Sequence, residues 1–322
     1  MTEKINSYIS HLPLDKEPQG LYAPIKYVMS LGGKRVRPTL MLLAYKLWKD
    51  DEDNILPQAV ALEMYHNFTL LHDDVMDNAD MRRGFPTVHK KWDVNTAILS
   101  GDEMLCLAFG MMHENSSTCD STILSKVFEC FAQTTSEINE GQQYDIDFES
   151  RTDVSEDEYI EMIRLKTSVL LACATKIGAL LADAPAEDVA RLYRFGEALG
   201  LSFQLQDDYL DVYGDPATFG KNIGGDIMAN KKTSMLINAM QRATDEDKAC
   251  LMGWIEKADS NPQEKIQAVT SLYNKLGIDK LALQKIEFYY NEAISTLNEI
   301  NVPEERKYAL RAYADMMLKR NK

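Results

Sequence analysis

No proline occurs between Pro86 and Pro185, which leaves the middle of the chain free to form long helices. A proline inside a helix removes one hydrogen bond and clashes with the carbonyl one turn back. Several other prolines stand at boundaries. Asn54 precedes Pro57, Asp183 precedes Pro185, Asn261 precedes Pro262 and Asn301 precedes Pro303. Each pairs a capping residue with a proline that the first helical turn tolerates. Between them apolar residues recur at helical spacing, as in Leu192, Phe195, Leu199 and Leu205, and no convincing run alternates as a strand does. The pattern predicts an all-α fold of roughly ten or more helices. No low-complexity linker divides it, so residues 1–322 are expected to form one domain.

Hydrophobic residues make up 45% of the 322-residue chain and charged residues 26%, the balance of a soluble globular protein. The net charge of −15 argues against nucleic-acid binding, which needs a basic footprint. Five scattered cysteines without Cys-x-x-Cys spacing read as reduced thiols, as expected in the cytoplasm. Residues 1–12 lack the apolar core of a signal peptide. The most apolar stretch, residues 168–182, contains Lys176 and is too short to insert in a membrane, so it is expected to be a buried helix.

The chemistry is concentrated in two clusters of the form Asp-Asp-x-x-Asp: Asp73, Asp74 and Asp77, then Asp207, Asp208 and Asp211. On a helix the first and last aspartates of each cluster share a face. Like carboxylates so placed repel one another by about a few tenths of a kcal/mol per pair. Hard divalent cations offset that repulsion, and Mg²⁺ favours one or two carboxylates completed by phosphate oxygens and water. Two merely solvated acidic faces would explain one cluster but not a matched pair with the companions that follow.

Those companions are basic. The loops GGKRVRP (residues 32–38), DMRRG (80–84) and FGKNIGGD (219–226) each combine glycine with lysine or arginine. Arginine binds phosphate with a planar fork and lysine as a compact charge. Lys34, Arg37, Arg82 and Arg83 supply both kinds, which suggests one phosphate site held through metal and another held directly. His66 shares a helical stripe with Asp73 and Asp77; alone it would read as an ordinary core histidine. Gln204 stands in the same relation to Asp207, Asp208 and Asp211. Two such helices facing one another would form a deep cavity with acidic sides. Lys166 and Thr167 interrupt an apolar helical pattern, where snorkelling to solvent is the plain alternative for the lysine. The segment GQQYD (141–145) ends another helical stretch with polar groups.

The ordered series GGKRVRP, HNFTLLHDDVMDNADMRRG, GQQYD, LKTS, FQLQDDYLDVYGD, GKNIGGD and NKKT resembles the trans-isoprenyl diphosphate synthases over nearly the whole chain. The resemblance implies an isoprenoid-synthase-type helical bundle with a large central cavity. It implies Mg²⁺-dependent condensation of isopentenyl diphosphate with an allylic diphosphate, three Mg²⁺ ions and a homodimer. Asp73, Asp77 and Asp207 would hold metal, with Asp74, Asp208 and Asp211 in or near the same shell. Arg82, Lys166, Lys221 and Lys231 would help clamp the allylic diphosphate, and Lys34, Arg37, His66 and Arg83 would bind isopentenyl diphosphate. Thr167 and Gln204 would lie beside the reacting carbons.

By the same resemblance, Phe68 and Thr69, just upstream of the first cluster, set the floor of the hydrocarbon pocket. One aromatic followed by a small residue resembles the geranylgeranyl pattern rather than the double-aromatic farnesyl one. The tail at residues 319–322 resembles a basic terminus that closes over the isopentenyl site, or is simply solvated. The rival reading is a non-catalytic regulatory subunit of a heteromeric synthase, but such subunits tend to lose aspartates. Terpene cyclases usually replace the second cluster, and a metal phosphohydrolase using His72 and Asp73 would leave Lys34, Arg37 and Lys166 unexplained.

Overall fold

The computed structural model describes residues 1–114, 120–215, 223–257 and 261–318. Its helices are α1 (Thr2–Ser10), α2 (Gln19–Ser30), α3 (Val36–Tyr45), α4 (Leu56–Met76), α5 (Val88–Lys91), α6 (Val94–Met112), α7 (Ser121–Ser150) and α8 (Glu156–Ile163). They continue as α9 (Val169–Leu181), α10 (Ala186–Tyr213), α11 (Gly225–Met228), α12 (Ser234–Arg242), α13 (Asp245–Glu256), α14 (Pro262–Leu276), α15 (Ile278–Asn298) and α16 (Glu304–Leu318). A two-residue hairpin, β1 (Met81–Arg82) with β2 (Phe85–Pro86), pairs Met81 with Pro86 and Arg82 with Phe85. The chain adopts the all-α isoprenoid synthase fold. No helix among the described residues is long and apolar enough to cross a membrane.

The boundary prolines behave as their chemistry requires. Pro57 lies in the first turn of α4, and α10 and α16 begin directly after Pro185 and Pro303. The side chain of Asn261 accepts from the backbone of Gln263 and Glu264 to cap α14. A reciprocal capping box starts α8, with the Ser155 hydroxyl accepting from Glu158 N and Glu158 Oε2 accepting from Ser155 N. The apolar stretch at 168–182 becomes α9, where Val169, Leu171, Cys173 and Ile177 are buried.

The chain forms two compact units, residues 1–131 with 174–189, and residues 132–173 with 190–322. In the first unit Leu40, Met41, Leu42, Val60, Leu62 and Tyr65 are fully or almost fully buried. Arg35 is buried with them, 3% exposed, in the left-handed conformation that starts α3. Its guanidinium donates to Glu63 at 2.7 Å, to Asn6 at 3.0 Å and to the Met29 carbonyl at 3.1 Å. Asn67 donates to the Glu63 carboxylate from the next turn of α4. One arginine thus ties α1, α2 and α4 to the start of α3, and so fixes the loop carrying Lys34 and the first helical turn carrying Arg37, which the sequence pattern puts in the same loop.

The second unit has one buried cluster around Met235, Leu236, Leu251, Val269 and Tyr273. Another surrounds Phe148, Tyr159, Met162, Leu201 and Leu205.

Removing one partner of a buried ion pair leaves an uncompensated charge. Glu63→Gln is expected to lower unfolding stability by roughly 3–5 kcal/mol, read by urea denaturation. A loss of only about 0–1 kcal/mol, as for an exposed pair, would remove Arg35 as the anchor.

Candidate active site

In the first unit α4 ends in the aspartate cluster. Asp73 and Asp74 lie in its last turn and Asp77 follows as the C-cap, its N–H bonded to the Asp73 carbonyl at 2.8 Å. The first and last aspartates therefore share a face, as their spacing predicts. Carboxylates here meet the negative end of the helix dipole, which adds to their mutual repulsion. Arg82 answers part of that charge. Its guanidinium donates to Asp74 Oδ1 through Nε at 2.9 Å and Nη2 at 2.5 Å, and lies 3.9 Å from Asp73. Burial nevertheless outweighs Arg82 and leaves the Asp74 carboxyl above its ordinary pKa.

The residues read as a loop at 80–84 include the start of the hairpin. Arg83 and Gly84 form its turn, both at positive φ (54° and 80°), as a two-residue hairpin turn needs. That turn sends Arg83 back to the Gly32 carbonyl. Gly32 and Gly33 also take positive φ, and a Cβ on Gly33 would press within 3.1 Å of the Arg83 guanidinium. The glycines thus make room for an arginine beside the loop of Lys34, just before α3 and Arg37. Burial, reinforced by Arg37, Arg83, Arg82 and Arg35, holds the His66 pKa well below the usual imidazole range. His66 is thus held as a neutral imidazole at neutral pH, among arginines. Phe68 packs between Tyr65, 5.6 Å between ring centroids, and His72, 4.7 Å. The hydroxyl of Thr69 donates to the His66 carbonyl of its own helix at 2.9 Å.

In the second unit the unusual feature is a π-helical turn, Arg164–Ser168, between α8 and α9. Such turns frequently mark functional sites. It carries Lys166 and Thr167, and two glycines explain how neighbouring helices reach it. A Cβ on Gly141 of α7 would lie 2.7 Å from Lys166 Cα, and one on Gly200 of α10 would lie 2.6 Å from Ser168 Cα. Asp145 and Gln204 follow these glycines by one helical turn and so face the π turn too. Lys166 Nζ donates to Asp145 Oδ2 at 2.5 Å, and Thr167 Oγ1 donates to Gln204 Oε1 at 3.1 Å. Burial disfavours charge on Asp145, but Lys231 and Lys166 prevail and hold its pKa below the usual carboxylate range.

The second aspartate cluster lies in the last two turns of α10. Asp211 is fixed by the segment after it: Oδ2 accepts from Asp226 N at 2.9 Å and its carbonyl from Gly224 N at 2.6 Å. Asp208 is buried and accepts from the Tyr159 hydroxyl and, at 3.0 Å, from Gln204 Nε2. Burial, aided by Asp207, pushes its pKa up to about 6. Burial and the charges of Asp208, Asp211 and Asp207 push Asp226 up to about 7, against the attraction of Lys231. Lys221 and residues 319–322 lie outside the described residues.

Sequence reasoning missed Tyr159 and the carboxyl of Asp226, whose roles appear only once distant segments are brought together. It also left Arg35 and Glu63 without a role.

The donor set suits a hard divalent cation, which takes carboxylate oxygen; within it burial and neighbouring carboxylates hold Asp74, Asp208 and Asp226 above their usual pKa. Among the described residues no three acidic, histidine or cysteine side chains already converge to hold a metal ion.

Without metal, the Asp226 carboxyl titrates near 7 when folded and near 4 when unfolded. The folded state therefore carries a penalty that is absent below about pH 4 and complete above about pH 7. Asp226→Asn is expected to raise unfolding stability at pH 8 by roughly 1–3 kcal/mol and to change it little at pH 4. Denaturant titrations at the two pH values check this, and an equal effect at both would sink it.

The sequence profile described as Polyprenyl synthetase matches residues 18–272. The chain is 38% identical to a geranylgeranyl diphosphate synthase of Methanosarcina mazei over 276 residues, 86% of this chain and 83% of the relative. It superposes on a crystal structure of a geranylgeranyl pyrophosphate synthase with TM-score 0.92 and 39% identity, covering 100% of this chain and 99% of the other. A geranylgeranyl pyrophosphate synthase from Corynebacterium glutamicum, complexed with isoprenyl diphosphate and magnesium, superposes with TM-score 0.85 at 26% identity over 99% of this chain and 97% of the other. The chain belongs to the polyprenyl synthetase family.

Proposed function

We propose that this protein is a short-chain trans-isoprenyl diphosphate synthase that joins isopentenyl diphosphate to dimethylallyl, geranyl or farnesyl diphosphate, with geranylgeranyl diphosphate as its main product and farnesyl diphosphate as the alternative. The observation that carries this reading is the seat of Lys166 and Thr167. A π turn in an otherwise apolar segment presents an ammonium group to Asp145 and a hydroxyl to Gln204, beside the second aspartate cluster. The arginine cluster of the first unit supplies the matching anion site.

In this reading Asp73, Asp77 and Asp207 hold Mg²⁺, three ions in all, with Asp74, Asp208 and Asp211 in or near the same shell. Magnesium, when bound, neutralises charge growing on the departing diphosphate. Arg82, Lys166, Lys221 and Lys231 clamp the allylic diphosphate, while Lys34, Arg37, His66 and Arg83 orient isopentenyl diphosphate. These charges are fixed in advance, so they stabilise the growing anion without reorganising. Thr167 and Gln204 lie beside the allylic carbon as its bond to oxygen breaks. The isopentenyl double bond then forms the new carbon–carbon bond, and the proton it loses goes to the released pyrophosphate.

Phe68 and Thr69 set the pocket floor. The packing of Phe68 between Tyr65 and His72 supports that role, because it restricts the ring. One profile matching residues 18–272 supports a single prenyltransferase domain over 1–322. Val94, Ile98 and Leu99, exposed along α6, support a homodimer. Cysteines without a disulfide pattern support a cytoplasmic setting. Both aspartate clusters are complete, which favours an enzyme over a regulatory subunit.

Purified protein with Mg²⁺, labelled isopentenyl diphosphate and each allylic starter is expected to yield a twenty-carbon product. No product from any starter would overturn the proposal. Asp73→Ala and Asp207→Ala are each expected to lower kcat by roughly 10²–10³ or more with unchanged helical circular dichroism. Arg37→Ala is expected to raise the KM for isopentenyl diphosphate about 10-fold, roughly one charge-assisted hydrogen bond. A change confined to the allylic KM would reverse the two anion sites. Phe68→Ala is expected to lengthen the product, and an unchanged product would remove Phe68 from the floor.

A further inference from the structure

The reading above gives Tyr159 no task, yet its side chain is 1% exposed and its hydroxyl donates to Asp208 Oδ2. The other oxygen of that carboxylate, Oδ1, accepts from Gln204 Nε2 at 3.0 Å. An ionised carboxylate only accepts, so the amide of Gln204 must turn its NH₂ toward Asp208 and its oxygen away. That oxygen accepts the hydroxyl proton of Thr167 at 3.1 Å. With its proton committed to Gln204, Thr167 has only lone pairs left to offer on its other side.

We propose that Tyr159, Asp208 and Gln204 form a relay that fixes the direction of the Thr167 hydroxyl, so that its oxygen rather than its proton faces the allylic carbon as positive charge grows there. Tyr159 and Asp208 are then positioning residues. Asp208 is 4% exposed, more deeply buried than Asp207 and Asp211, and both its oxygens accept hydrogen bonds, so in this relay it lies beside the metal shell as a positioning residue rather than a ligand. The inference rests on the placing of Thr167 beside the reacting carbon in the proposed function. Its physical basis is ion–dipole: a hydroxyl oxygen stabilises a nearby cation, and the same group turned to present its proton repels it.

Asp208→Asn keeps the shape and reverses the relay. The substituted amide accepts the Tyr159 proton with its oxygen and offers NH₂ to Gln204. The Gln204 amide must then flip and donate to Thr167, which frees the threonine proton to point at the substrate. This variant is expected to lower kcat roughly 10- to 100-fold, with both diphosphate KM values within about twofold. Mg²⁺ binding, measured directly by calorimetry, is expected to stay unchanged. Tyr159→Phe leaves Gln204 bonded to Asp208, so a kcat loss of only about 2- to 5-fold is expected. Adding Gln204→Glu to Asp208→Asn restores an acceptor facing Thr167 and is expected to recover most of the lost kcat.

Three results would each overturn the relay. One is weakened Mg²⁺ binding in Asp208→Asn with kcat restored by excess metal, which would make Asp208 a ligand. Another is an unchanged kcat in that variant. The third is a double variant no better than the single one. Wild-type activity on the two diphosphates tests the underlying function separately; an inactive wild type would sink both, and an active wild type with any of the three results sinks the relay alone.

Discussion

The backbone of the π turn at Arg164–Ser168 can be approached only where its neighbours have no side chain, and the chemistry of the second unit depends on that constraint. Gly141 and Gly200 meet it from α7 and α10, and any larger residue at either place would meet backbone atoms at under 3 Å. Each glycine sits one turn before the polar group it delivers, Asp145 in one case and Gln204 in the other. Close packing and polar contact are therefore one arrangement: moving α7 outward to accommodate a Cβ would also withdraw Asp145 from Lys166. The extra residue of a π turn disturbs regular helical bonding. Burial of Leu165, Ser168 and Val169 around it offsets that cost.

Charge presents the opposite difficulty. The protein carries a net charge of −15 and places further carboxylates where burial makes ionisation unfavourable, as at Asp208 and Asp226. A protein selected only for stability would replace them. Their retention makes sense if a cation arrives with the substrate, because binding then relieves a repulsion already present in the fold. The first unit solves the same problem locally, with Arg82 against Asp74 and with His66 kept neutral by burial and the arginines around it. In the proposed function anion recognition there would come from fixed guanidinium groups rather than from the overall field, which would repel a diphosphate.

Much of this was legible in the sequence because it depends on period and punctuation. The four-residue spacing of Asp73 and Asp77, the prolines at helix starts and the apolar run of α9 all report local structure. The hairpin at Met81–Pro86 was read as loop because strands of two residues are too short to show alternation. The π turn was hidden for a related reason: its residues continue an apolar helical pattern, and one additional residue leaves little trace in the period. Tyr159 and Asp208 are 49 residues apart and meet only through packing of α8 against α10. Arg35 was masked by its neighbours, since in GGKRVRP it looks like one more phosphate-binding cation, whereas its contacts with Glu63, Asn6 and Met29 make it the anchor of the loop. Gly141 was a usable signal. The segment 141–145 reads as the end of a helical stretch, whereas α7 continues to Ser150; a glycine one turn before an aspartate inside a helix points to close backbone approach.

The two aspartate clusters have the same pattern but do not treat their members alike. In each, the middle aspartate is the most deeply buried of the three, with Asp74 at 5% and Asp208 at 4% exposure. Each is already engaged by a donor from its own unit, Arg82 in one case and Tyr159 with Gln204 in the other. A helix explains why. Residues i and i+4 share a face while i+1 is rotated away by about 100°, so the middle side chain turns toward the protein when its neighbours turn toward solvent. Three carboxylates in a motif thus need not mean three metal ligands. In the proposed function the outer pair holds the cation, while the middle aspartate engages Arg82 in one unit and Tyr159 with Gln204 in the other.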